Sequence, residues 1–151
     1  MRRFAIPAVL CLFVLGSAAQ AQYYPNSPAR LVRNWYRQYL GRDLDQGGYG
    51  WVSLLENGAG PDVVLASILG SDEYWQRAGG TPDGFVRALF QDIGHRQPTR
   101  RDYDYWINQL QYQQPSDVAL GILHLYPGSW QRSTVGEYGE YRPNWMWRNR
   151  R

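Results

Sequence analysis

The chain contains one pattern twice, with the second copy starting about 54 residues after the first. The first copy consists of Leu31-Val32-Arg33-Asn34-Trp35-Tyr36, Leu40-Gly41-Arg42, Trp51, Leu55 and Asp62-Val63. The second consists of Phe85-Val86-Arg87-Ala88-Leu89-Phe90, Gly94-His95-Arg96, Trp106, Leu110 and Asp117-Val118. A helical unit that cannot bury its apolar face alone buries it against a sibling. The repeat therefore predicts a compact bundle of two related three-helix units, at residues 27–77 and 81–126.

Helix signals occur throughout both copies. Ser27-Pro28 and Thr81-Pro82 each offer an N-cap followed by the residue best tolerated at the first helical position. Leu31, Trp35 and Tyr39 then recur at the spacing of an amphipathic helix that ends near Gly41. No run of four or more residues alternates in strand fashion between turn signals. The sequence predicts an all-α fold.

The N-terminus has the pattern of a secretory signal peptide. Arg2 and Arg3 precede an apolar run over residues 4–15, and small residues lead to Ala21. Cleavage after Ala21 would remove residues 1–21, including Cys11, the single cysteine of the chain. The apolar run is too short for a membrane span, which needs about 20 residues. We expect a secreted or periplasmic protein with no disulfide and no transmembrane segment in the mature chain.

Charge divides the mature chain into a body and a tail. Residues 22–131 form the predicted single helical domain, in which nine arginines face eleven acidic residues. Residues 132–151 carry five arginines and two glutamates without helical periodicity, which predicts a loose basic tail. No lysine occurs anywhere. Electrostatic attraction to an anionic partner is therefore expected from the tail rather than the body.

The tail is the candidate interaction surface. Its aromatic and guanidinium side chains suit envelope polymers, lipid headgroups or the acidic groove of a protein. The residues are Tyr138, Tyr141, Arg142, Trp145, Trp147 and Arg148. The alternative is that the tryptophans fold back onto the helices. Export makes nucleic acid an unexpected partner.

Several motifs of the first copy resemble one bacterial family. They are Val32, Tyr36, Leu40-Gly41-Arg42, Asp45, Gly47, Trp51, Leu55, Gly58, Val63 and Ser71-x-Glu73-Tyr74. In order and spacing they are similar to the domain-of-unknown-function family 4214, and more loosely to phycobilisome linker domains. The agreement is full over residues 31–75 and weaker over 85–125. The resemblance implies a helical module of exported or surface-associated proteins, with no established catalytic residues.

Two arginines and two tryptophans recur between the copies. Arg42 and Arg96 could bind a ligand carboxylate or phosphate, but such arginines more often hold loop carbonyls in place with the stem along an aromatic ring. Trp51 and Trp106 could stack on sugars, but the apolar residue four positions after each of them, Leu55 and Leu110, favours a core position. We interpret all four as structural positions.

Asp43 and Asp45 form a candidate calcium motif with Gly47, since alternating carboxylates and a glycine occur in calcium loops. The favoured alternative is that Asp45 caps the following helix while Asp43 pairs with Arg42 or with solvent. Thr99 in the second copy keeps the capping ability and loses the charge. We expect no metal and no cofactor.

Signs of catalysis are few. No motif of a nucleophile, zinc protease or phosphate loop occurs in the sequence. The sequence favours a non-catalytic exported module for extracellular or envelope association, through contacts with an unknown protein or an envelope glycan. One alternative is a small glycan hydrolase that uses Glu56 and Glu73 as its carboxylate pair. The other is a calcium-stabilised structural module.

Overall fold

The computed structural model describes residues 27–128, and the regular secondary structure in this range is entirely helical. The α-helices of this range are α1 (Pro28–Trp35), α2 (Tyr49–Glu56), α3 (Pro61–Leu69), α4 (Asp72–Arg77), α5 (Pro82–Gly94), α6 (Arg100–Gln109) and α7 (Pro115–Leu125). A π-helical segment, Tyr36–Leu40, continues α1. The predicted all-α fold is confirmed.

Side-chain caps start several of these helices. Ser27 accepts the backbone N–H three residues on at 3.4 Å, and Thr81 does the same at 3.1 Å. Thr99 and Asp102 cap each other's backbone N–H groups at the start of α6, at 3.2 and 3.1 Å. Each such bond satisfies a donor that has no partner within the helix. The N-caps predicted at these positions are confirmed.

The first long helix changes its geometry half-way. The sequence predicts one amphipathic α-helix to Gly41, but the α-helical geometry ends at Trp35 and π-helical turns follow. A π-turn holds one more residue than an α-turn and so shifts the buried face. This shift lets six apolar side chains of the two segments be buried together. They are Leu31, Val32, Trp35, Tyr36, Tyr39 and Leu40.

One hydrophobic core connects the helices of residues 27–128. Even the short helices contribute, with Tyr74 from α4 and Trp106 from α6. Its largest fully buried side chains include Trp35, Phe85 and Phe90. Because residues 27–128 contain no cysteine, burial of these side chains carries most of the stability of this part of the chain.

Helices α3 and α7 pack against each other in antiparallel fashion. At one end, a Cβ atom added to Gly70 would lie 2.4 Å from the backbone nitrogen of Ser116. At the other end, His124 Nε2 lies 3.1 Å from Asp62 Oδ2. The missing side chain at Gly70 therefore permits the close approach of the two helices.

The order of helices is compatible with a repeat but does not establish one. α1, α2 and α3 correspond in order to α5, α6 and α7, with the six-residue α4 between them. The relation of these two sets as copies of one three-helix unit stays a prediction, as do the domain limits. No helix within residues 27–128 is long and apolar enough to cross a membrane.

Candidate functional site

The turn after the π-helical segment places Arg42 next to α4. Gly41 adopts a left-handed conformation with φ of 65°, and the Arg42 N–H points back to the Tyr36 carbonyl at 3.4 Å. Glycine reaches this conformation without the steric penalty of a side chain. A Cβ atom there would also lie 3.0 Å from the guanidinium of Arg77. Backbone geometry and space both favour glycine before the arginine.

Arg42 is the centre of a charged cluster. Its Nη2 donates to Glu73 Oε2 at 2.7 Å, while its Nε donates to Glu73 Oε1. Its Nη1 lies 3.0 Å from Asp45 Oδ2 and donates to the Asp43 carbonyl at 3.2 Å. The guanidinium lies 4.8 Å from the centre of the Tyr36 ring. We call Tyr36, Arg42, Asp45 and Glu73 the Arg42 cluster.

The Arg42 cluster keeps Glu73 ionised. The hydrogen bond from Arg42 lowers the pKa of Glu73, and the same bond raises the pKa of Arg42. Burial raises the pKa of Tyr36, which stays a neutral phenol. A carboxylate fixed by a bidentate arginine is held in one orientation and has no proton to donate near neutral pH.

The carboxylate pair of the hydrolase alternative gains no support from this geometry. A glycosidase needs one carboxyl group with a raised pKa as the general acid. The pKa of Glu73 is lowered instead. Glu56 is the exposed last residue of α2. Glu73 is bonded to Arg42 and so does not provide the protonated carboxyl group that the general acid requires.

Asp43 and Asp45 are each paired with an arginine. Arg37 Nε lies 2.5 Å from Asp43 Oδ1, and Arg42 holds Asp45. Asp45 Oδ1 also accepts the Gly48 N–H at 3.0 Å. Because Gly48 is itself the N-cap of α2, the prediction that Asp45 caps this helix is wrong: Asp45 closes the turn before it. Within residues 27–128, no three His, Cys, Asp or Glu side chains cluster as a metal site would require.

Arg96 makes the same kinds of contact as Arg42. Its N–H points back to the Phe90 carbonyl at 3.4 Å, and its guanidinium lies 4.9 Å from the Phe90 ring centre. Its Nη1 donates to the Gln97 carbonyl at 2.9 Å and to Asp102 Oδ2 at 3.0 Å. In both turns the arginine therefore contacts an aromatic ring, a loop carbonyl and a carboxylate, and these contacts hold the turn in place.

The second half of this framework matches a known family. Residues 65–124 match the family model described as Domain of unknown function (DUF4214). The match supports the family resemblance for this stretch, which we call the DUF4214 segment. No curated protein and no solved structure matches the chain.

The DUF4214 match has different limits from those the sequence motifs suggested. It begins within α3, includes Ser71 to Tyr74, and ends within α7. It therefore contains the second copy, where weaker agreement was expected, and residues 27–64 lie outside it. The Ser-x-Glu-Tyr motif lies at the end of the first copy, and it is a part of that copy which the family match includes.

The two tryptophans differ in their exposure. Trp106, inside the DUF4214 segment, is 8% exposed, and a Cβ atom added to Gly121 would lie 2.5 Å from its ring. Trp51 is partly buried and packs against the core. Burial raises the pKa of the Tyr36 phenol, and a hydrogen bond from the indole N–H of Trp51 lowers it by a smaller amount. Neither indole forms an open platform of the kind that stacks on sugars.

A buried tyrosine–carboxylate pair in the DUF4214 segment was missed from the sequence. The hydroxyl of Tyr74 donates to Asp92 Oδ2 at 2.8 Å. Burial raises the pKa of Asp92 and is also the largest cause of the raised pKa of Tyr74. A helical pattern places Asp92 on α5 but says nothing of a partner on α4, so no sequence signal pointed to the pair.

A pocket of about 350 Å³ was missed as well. It lies between α5 and α6, and we call it the α5–α6 pocket. Its lining residues are Arg87, Pro98, Thr99, Arg100, Tyr103 and Asp104. These residues come from α5, from α6 and from the loop between them. The sequence alone does not show that the three segments meet, so the pocket could not be predicted from it.

Other predictions lie outside the described residues. The signal peptide, residues 1–21, is one of them. The tail is the other, with Tyr138, Tyr141, Arg142, Trp145, Trp147 and Arg148. Both stay predictions of the sequence.

Proposed function

We propose that the protein is an exported, non-catalytic helical module that associates with the cell envelope or with an extracellular partner. The observation that carries the non-catalytic part is the pairing inside the Arg42 cluster. Its carboxylates are bonded to Arg42, so they brace the loop between the π-helical segment and α2 against α4. A carboxyl group that acts as a general acid would instead need a proton retained by a raised pKa, whereas the pKa of Glu73 is lowered.

Two features support the association. The basic start, short apolar run and small residues before Ala21 have the features of a secretory leader. The aromatic and arginine-rich sequence of residues 132–151 suits anionic envelope polymers or an acidic protein groove. The partner is then a protein or an envelope glycan, bound without a cofactor.

Fractionation and pull-down of the mature protein test this proposal. The full chain should remain with the envelope or retain a partner, and a version that ends at Ser133 should lose most of that binding. Sequencing of the exported protein should give Gln22 as its first residue. Unprocessed protein in the cytoplasm would contradict the export half of the proposal.

A peptidoglycan-clearing assay tests the non-catalytic half. The wild-type protein should release no soluble sugar. Release of sugar by the wild type, together with its loss in Glu56→Gln and Glu73→Gln, would establish the hydrolase alternative instead. A thermal melt in calcium and in chelator should give the same midpoint, because a native-state calcium site would raise stability by mass action.

A further inference from the structure

The α5–α6 pocket contains an arginine that its neighbours hold only weakly. Arg100 Nε lies 3.6 Å from Asp104 Oδ2, and the two side chains are 94% and 62% exposed. Exposed pairs of this kind are weak and exchange readily for other partners. Arg100 is therefore available to an anion that enters the pocket.

The second arginine is held in one orientation. Arg87 Nε donates to Asp83 Oδ1 at 2.8 Å, and its guanidinium lies 5.0 Å from the centre of the Tyr103 ring. Asp83 also accepts a hydrogen bond from Tyr103, and these two bonds lower its pKa. Since Nε carries one of the five N–H groups of an arginine, the two Nη groups of Arg87 retain donors for a ligand.

The two arginines of this pocket differ in their recurrence between the copies. Arg87 corresponds to Arg33 in the first copy. Arg100 has no arginine counterpart, because its position in the first copy is Gln46 when counted from Arg42 and Asp45 when counted back from Trp51. Ala29 corresponds to Asp83. The bracing arginines Arg42 and Arg96 recur, as expected for a scaffold. Arg100 occurs in one copy alone, so the scaffold that the two copies share does not require it.

We propose that the α5–α6 pocket binds a sugar-sized ligand that carries an oxyanion, either a carboxylate or a phosphate. Arg87 and Arg100 bond the oxyanion, because guanidinium groups match its geometry. Tyr103 and Pro98 supply the apolar surface for the body of the ligand. The cavity of about 350 Å³ is near the lower end of ligand pockets, which suits one sugar ring rather than a chain.

This inference rests on the proposed function, in that the module binds its ligand without changing it. It adds a glycan-binding site in the helical body, separate from the tail. The carboxylate of Asp104 opposes an anion in the same pocket, so affinity should be modest. We therefore expect a Kd on the order of 1 mM or weaker.

Calorimetric titration of the purified protein with four small probes tests the pocket. The probes are glucuronate, glucose 6-phosphate, glucose and inorganic phosphate. Either charged sugar should bind at least about tenfold more tightly than glucose, a difference of about 1.4 kcal/mol. The tighter of the two identifies the oxyanion, and inorganic phosphate should bind more weakly than that sugar. Equal affinity for glucose, or for inorganic phosphate, would overturn the proposal.

Paired variants locate the binding. Arg100→Gln should weaken it about fivefold or more, and Asp104→Asn should tighten it about twofold to fivefold because the opposing carboxylate is gone. Arg101→Gln is the matched control, since this exposed neighbour does not line the pocket. Unchanged affinity in both pocket variants would place the ligand elsewhere and overturn the assignment, provided that their thermal melts match the wild type.

The same variants separate this inference from the function on which it rests. Retained envelope binding by a protein that binds no charged sugar would reject the pocket and leave the module role intact. Conversion of an acidic glycan into smaller products would reject the non-catalytic role, whatever the affinity of the pocket.

Discussion

Arg42 bonds both carboxylate oxygens of Glu73, a residue 31 positions further along the chain. The pair joins the loop after the π-helical segment to α4, a helix of six residues. Such a short helix is not stable by itself in water and depends on tertiary contacts. The arginine contributes to the position of α4, and with it the buried side chain of Tyr74.

Replacement of Arg42 by glutamine should therefore destabilise the fold. The two side chains are 36% and 38% exposed, so solvent screens the pair and we expect a loss of about 1 kcal/mol. The midpoint of thermal unfolding should fall by about 4–8 °C in a domain of this size. Arg101→Gln, at an exposed position, should stay within about 0.5 kcal/mol of the wild type. Equal effects of the two substitutions would contradict a bracing role.

Glu73→Gln should show the pH dependence of the same pair. The folded pKa of Glu73 is below its usual value of 4.5, so its contribution is present above pH 4.5 and is lost as pH falls through the folded pKa. Urea unfolding at neutral pH should show the variant to be less stable than the wild type by about 1 kcal/mol. The difference should shrink below pH 4.5. A constant difference down to pH 2 would exclude the ion pair as its source.

Asp92→Asn should have the opposite pH dependence. Burial raises the folded pKa of Asp92 above its usual value of 3.8, so the contribution of Asp92 to stability is fully present below pH 3.8 and is lost as pH rises through the folded pKa. Asparagine keeps an acceptor for the Tyr74 hydroxyl and cannot ionise. In urea unfolding, the free energy of unfolding of the variant should rise relative to that of the wild type between pH 4 and 7. A fall in this relative stability over the same pH range would contradict burial as the main influence on the pKa of Asp92.

The approach of α3 to α7 should be sensitive to one methyl group. In Gly70→Ala the added carbon would lie within 2.5 Å of the Ser116 backbone, which cannot rotate away, so we expect a loss of about 1–3 kcal/mol. Gly50→Ala in α2 is the control, because no atom lies within 4 Å of its added Cβ. It should be neutral or stabilising by up to about 1 kcal/mol. Denaturant midpoints of the two variants test the contrast.

Local signals of the sequence were sufficient for much of the fold. N-caps such as Ser27 and Thr99 depend on residues three positions away, so a linear reading finds them. The π-helical segment was missed because the spacing of Leu31, Trp35 and Tyr39 is that of a regular α-helix, so the pattern carries no signal for the wider turn. The role of Asp45 was missed because three further residues separate it from α2, and the last of them, Gly48, is the N-cap.

Tertiary pairing explains why the candidate site was harder to predict. Recurrence pointed to Arg42 and Arg96 as braces, and it named neither carboxylate partner. Glu73 was identified by residue type as a hydrolase candidate, whereas the structure bonds it to Arg42. Sequence spacing constrains partners within a helix, as for Arg87 and Asp83 at four residues. Partners on different helices, such as Tyr74 and Asp92, need the packed fold.

His95→Gly should stabilise the protein, because the second copy keeps a left-handed turn without the glycine that suits it. His95 has φ of 52°, close to the 65° of Gly41 in the first copy. A side chain in this region costs about 1–2 kcal/mol, of which the greater freedom of glycine in the unfolded chain cancels part. We expect a gain of about 0.5–1 kcal/mol in urea unfolding. The reciprocal change, Gly41→Ala, should lose about 1 kcal/mol or more for the same reason. A destabilised His95→Gly protein would mean that the imidazole makes contacts worth more than the strain.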